Sequence, residues 1–309
     1  MVKKIVNFLT TDIWRLRLKH YPPKKSWLIR QLRIIILAVR GYMEDNCKFR
    51  ASALTFFTIL SIVPIVVVIF AVASGFGLKE KVDSLILNTF EGQEDAAKII
   101  IEMANKALAS EELRTGIFGG IAIAFFFWTI IKVLSNVENS FNEIWGIKQG
   151  RHIGRRFADY LSIVLVCPIL VIIATIMTVA ASDKIGQWLL DLPYAEKFGG
   201  IFSWFLYLTG YVNYVLIWVV FTFLLMFMPN TKVKFKSGIF AGIVTGTIFV
   251  IVQGVYIHFQ IGVKNAGAIY GSLATFPLFF IWMHVSWLIV LFGAELAFAH
   301  QNVDTYEFE

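Results

Sequence analysis

The residues best placed to do chemistry sit on the last long apolar run. Glu295 lies in LFGAEL near its end, and Pro277 and His284 precede it at spacings that put all three on one helical stripe. An ionisable side chain inside such a run is rare and is a functional hypothesis by default. Glu295 reads as a carboxylate that meets substrate or a proton; an ion pair to Lys132 or an N-terminal arginine is the alternative. His284 lies about 16 Å away along the axis by helical rise, and is either a proton relay or a buried neutral histidine. Gln253, seven residues after Gly246, needs a partner for its amide, from a substrate or a neighbouring helix. Lys132, Asn136, Asn139 and Glu143 share another stripe, and Asn142 adds a third amide. That group reads as the lining of a mouth or as a stabilising polar junction.

Other chemistries lack their residues. The five histidines, His20, His152, His258, His284 and His300, include no pair at a short metal-ligand spacing. Cys47 and Cys167 are far apart and give no disulfide framework or CxxC pattern. No GxxxxGK[ST] phosphate loop occurs. The expectation is therefore no metal, no cofactor and no enzyme, phosphodiester cleavage included, because that reaction needs clustered metal ligands or a placed acid–base pair.

The elements that must position these residues are membrane helices. Of 309 residues, 58% are hydrophobic and 16% charged, and the mean hydropathy is +0.71. The apolar residues gather in runs of the roughly 20 needed to cross a bilayer. In lipid, backbone polar groups must be satisfied internally, so such runs become helices. Six are expected, near Ala51–Ser74, Ile117–Ser135, Tyr160–Ala181, Trp204–Met228, Gly238–His258 and Leu273–Phe298. With the N-terminus inside, the inner segments hold 20 of the 28 Lys and Arg, as the positive-inside rule requires. The net charge of +7 thus reflects topology and the lipid surface, not nucleic acid.

The fold expected is an all-α polytopic bundle in three parts. Residues 1–50 form a basic cytoplasmic region with an amphipathic interfacial helix over Leu28–Tyr42, whose apolar positions are Leu28, Leu32, Ile35, Ile36 and Val39. Residues 51–300 hold the six spans, with an outer helical hairpin at about 78–113 that caps the bundle or docks a partner. Residues 301–309 are a cytoplasmic tail. Gly238, Gly242 and Gly246 repeat every four residues, a ridge for close helix approach. Pro64, Pro168 and Pro277 are expected to kink their helices.

Four segments resemble signatures of the YihY/BrkB family of bacterial inner-membrane proteins: RASALTFFTILSIVP (Arg50–Pro64), NSFNEIWGI (Asn139–Ile147), MPNTKVKFKSGIFAG (Met228–Gly242) and YGSLATFPLFFIW…LFGAEL (Tyr270–Leu296). Met283 and His284 stand where many members have a tyrosine. The resemblance, over about Phe49–Gln301, implies a multi-pass protein of the cytoplasmic membrane with both termini inside. The family once carried the label ribonuclease BN and is linked by name to virulence; transport, including lipid export, is a leading proposal for it. The expectation is a transporter of a lipid or amphiphilic substrate, with the bilayer and a second copy of the chain as partners. A non-transporting envelope scaffold acting through the hairpin is the alternative.

Overall fold

Pro22 and Pro23 open the first long helix. A proline at the first helical position gives up only an N–H that lacks an intrahelical partner, and Ser26 N–H already donates to Pro22 O at 3.0 Å. This helix, α1, runs Pro23–Glu44. It is followed by Asn46 at φ 53°, a left-handed conformation that asparagine tolerates better than most residues. The Asn46 carbonyl then accepts from Phe49 and Arg50 N–H at the start of α2, Cys47–Gly75. The remaining helices are α3, Glu94–Ala109, α4, Gly116–Ile144, α5, Tyr214–Phe227, α6, Phe235–Ala266, and α7, Thr275–Asn302. One helical turn, Ile13–Arg15, precedes them.

The computed structural model describes residues 13–16, 21–75, 83–84, 86–87, 94–109, 116–151, 214–266 and 275–305. Among the described residues every regular element is a helix, in agreement with the all-α expectation. Phe235–Gln260 and Pro277–Asn302 are long and apolar enough to cross a membrane, and α5 is a shorter apolar helix. The third expected span and Pro168 lie outside the described residues. Of the expected hairpin, α3 is the second arm, and the first is described only at 83–84 and 86–87. α2 continues through Pro64 to Gly75. Pro277 falls in the first turn of α7, where its missing N–H removes no intrahelical bond.

The chain divides into two units. One comprises Met1–Gly41, Ile144–Val250 and Phe292–Glu309; the other comprises Tyr42–Glu143 and Ile251–Leu291. In the first, α5 and α6 are antiparallel neighbours joined at three glycines. Gly238 faces Met226, Gly242 faces Thr222, and Gly246 faces Trp218. Each step of four along one helix matches a step of four back along the other. Gly293 of α7 meets Thr245 of α6 in the same way. In the second unit α3 packs on α2. Trp287 Nε1 donates to Thr58 Oγ1 at 3.0 Å, and Tyr256 donates its hydroxyl proton to Leu278 O at 2.6 Å while its ring stacks on Trp282.

α1 is apolar on two sides. Ile34, Leu37 and Ala38 are buried, while Leu28, Leu32, Ile35 and Val39 are exposed. The stripe named from the sequence is thus the exposed one. Arg33 is not on a solvated face: it is 8% exposed and its guanidinium donates to the carbonyls of Ile13 and Leu16. Burial pushes its pKa below the usual guanidinium value, and Asp304 acts the other way.

Candidate functional site

Between Leu291 and Ala299, α7 carries one carboxylate in an otherwise apolar stretch. Leu291, Ala294, Leu296, Ala297 and Ala299 are buried around it, and Glu295 itself is 1% exposed. Its carboxylate occupies the space over Gly41 of α1, where the Cβ of any larger residue would overlap it. Glycine at position 41 is therefore what makes room for the acid.

Polar contacts join the end of α7 to the start of α6 and to α1. His300 Nδ1 is 2.9 Å from Ser237 Oγ in the first turn of α6, and its ring stacks on Phe240 at 4.6 Å between centroids. Gln301 Oε1 accepts from Lys234 N–H at 2.7 Å, and its amide N–H donates to Lys232 O. Gln301 thus holds the segment that starts α6, where the Lys234 carbonyl accepts from Ser237 and Gly238 N–H. Arg30 of α1 donates to Asp304 at 3.2 Å and to the His300 carbonyl. Asn230 donates to Gln149 O at 3.1 Å. One set of side chains so ties together α1, the start of α6 and the end of α7, the helix that carries the buried acid.

The residues read from the sequence fall in both units. Glu295 belongs to the first unit; Lys132, Asn136, Asn139, Asn142, Gln253 and His284 belong to the second. Lys132 is exposed, with its ammonium 5.6 Å over the Trp128 ring. Asn139 is exposed and Asn136 half-buried; the Asn136 carbonyl accepts from Ser140. Gln253 and His284 are half-buried. Glu143 is exposed and pairs with Arg50 at 3.5 Å. The stripe through Lys132, Asn139 and Glu143 is therefore the outward side of α4.

The inward side of α4 is Val133, Val137, Phe141 and Ile144, and it carries Glu138 at 0% exposure. Asn142 Nδ2 donates to Glu138 Oε1 at 3.4 Å. Sequence reasoning took Asn142 and missed Glu138, although an acid and an amide four residues apart is a bonding spacing on a helix. It also missed Gly41, Ser237 and His300. Tyr42, next to Gly41 and in the second unit, has its phenol pushed up to about 12 by burial first, so it is a neutral donor at ordinary pH. No group of three or more His, Cys, Asp or Glu that could hold a metal occurs among the described residues.

The family model described as virulence factor BrkB matches residues 38–309, a stretch that includes both Gly41 and Glu295. The chain belongs to the BrkB family. Among its curated relatives, a UPF0761 membrane protein of Legionella pneumophila is 28% identical over 271 residues, 86% of this chain and 61% of the relative. A UPF0761 membrane protein of Vibrio vulnificus is 28% identical over 260 residues, 83% of this chain and 78% of the relative. One from Actinobacillus pleuropneumoniae is 26% identical over 269 residues, 86% of this chain and 92% of the relative. Against the first of these relatives, this BrkB chain spans about three fifths of the length. No solved structure matches it. Kinship thus makes it a membrane protein, in agreement with the apolar helices α6 and α7.

Proposed function

We propose that this BrkB-family chain is a six-span protein of the bacterial cytoplasmic membrane that moves a lipid-like amphiphile, with both termini inside. One observation carries the reading: Glu295 is buried in an apolar spanning helix, in a space that Gly41 leaves open. A carboxylate placed deep in a spanning helix costs about 3 kcal/mol on insertion scales, less near the interface. A purely structural role would be met more cheaply by an apolar residue. The acid is thus read as the group that binds the substrate's polar part or a coupled proton. Glu138 is a second buried carboxylate in α4 and fits the same kind of role.

The six-span count rests on α6 and α7, on α2 and α4 at 29 residues each, on α5, and on the third apolar run. The orientation rests on the excess of Lys and Arg in the segments assigned inside. The reading requires no covalent step and no cofactor. Its test is transbilayer movement of a fluorescent phospholipid analogue in vesicles containing the purified chain. Movement faster than in protein-free vesicles is the expected result; identical rates would end the transport reading. Reporter fusions at 309 and at 234 are expected to report inside, and a fusion at 92 outside.

A further inference from the structure

We propose that the groove between α5 and α6 holds an acyl chain of an anionic phospholipid, with Lys232, Lys234 and Lys236 meeting its headgroup. The groove has a volume of about 430 Å³ and is lined by Val215, Val219, Phe223, Phe227, Ile239 and Ile243, among others. Its wall is almost wholly carbon: Trp218 uses its single donor on Thr247 Oγ1 at 3.1 Å, and Thr222 packs at Gly242. From Val215 to Phe227 the helical rise is about 18 Å, a little over half of the roughly 30 Å hydrocarbon core. The slot therefore has the reach of one leaflet.

Charge picks out one end. Phe227 and Phe235 line the groove where α5 ends and α6 begins. Lys232, Lys234 and Lys236, all exposed, lie on either side of Phe235. Arg151 adds a guanidinium there by donating to Phe227 O at 2.7 Å. The sequence has no Asp or Glu between Glu196 and Glu295. An apolar slot of leaflet length with a cationic lip selects an anionic amphiphile over a zwitterionic one. The site rests on the membrane placement proposed above but not on transport.

The test uses the full chain in mixed micelles and phosphatidylglycerol with brominated acyl chains. The Trp218 signal is taken as wild type minus Trp218→Phe. Brominated phosphatidylglycerol is expected to quench it at about tenfold lower mole fraction than brominated phosphatidylcholine, given three basic groups near the headgroup. The combined Lys232→Gln, Lys234→Gln and Lys236→Gln variant is expected to lose that preference and keep full quenching at saturation. Equal quenching by the two lipids in wild type, a preference that survives the lysine changes, or displacement by inorganic phosphate would each overturn the site. If Trp218→Phe does not fold, the phosphatidylglycerol retained by wild type and the lysine variant in native mass spectrometry decides instead: equal retention overturns it. Equal quenching in wild type with intact lipid movement removes this site alone; a wild-type preference that depends on the lysines, without movement, removes transport alone.

Discussion

Gly242→Leu is expected to break the α5–α6 pair and leave little folded protein. A Cβ on Gly242 would lie 2.7 Å from the Thr222 backbone nitrogen and 2.8 Å from its Cα. These are backbone atoms, so no rotamer change relieves the overlap. Even Gly242→Ala, which gains about 1 kcal/mol of helix propensity, is expected to lose stability, because overpacking costs typically about 1–3 kcal/mol. Gly254 lies on the same helix with nothing within 4 Å of its would-be Cβ. Gly254→Ala is therefore expected to keep or raise the thermal midpoint in detergent. The folded fraction after heating, read by size exclusion, checks both. Equal behaviour of Gly242→Ala and Gly254→Ala would contradict the register of the two helices.

Gly41→Ala should separate function from stability. The atoms a methyl would meet are the end of the Glu295 side chain, which can rotate aside. The fold then survives, and alanine in a helix favours it by up to about 1 kcal/mol. The carboxylate, however, is displaced from its seat. Lipid movement is expected to fall about tenfold, the factor that corresponds to a loss of roughly 1.4 kcal/mol in the barrier step. A thermal midpoint at or above wild type with reduced movement is the expected pair of results. Unchanged movement would mean that the position of the carboxylate does not matter.

What the sequence revealed and what it hid follow from where each partner lies. Gly238, Gly242 and Gly246 declare themselves because a small residue every four positions has one physical use in a membrane helix, close approach. Glu295 declares itself because an acid in an apolar run is costly. Gly41 does not, since its role is to be empty beneath a side chain from the far end of the chain. Arg33 looks like a surface charge on an amphipathic helix; its partners are backbone carbonyls of Ile13 and Leu16, which leave no mark in the residue pattern. On α4 the polar residues occur on two sides. Periodicity alone picked the side with Lys132 and Asn139, while Val137 and Phe141 bury the side with Glu138. Helical period fixes which residues share a face; the choice of inward face needs the neighbouring helices.

Glu295→Gln keeps the shape and reach of the buried acid but puts an amide, which cannot ionise, in place of the carboxyl group. Transbilayer movement of the phospholipid analogue, measured at equal protein density for wild type, Glu295→Gln and empty vesicles, is therefore the most direct measurement. Wild-type movement well above both of the others, with the variant equally folded, is the result predicted. A folded Glu295→Gln protein that moves lipid as fast as wild type would contradict the role given to this carboxylate.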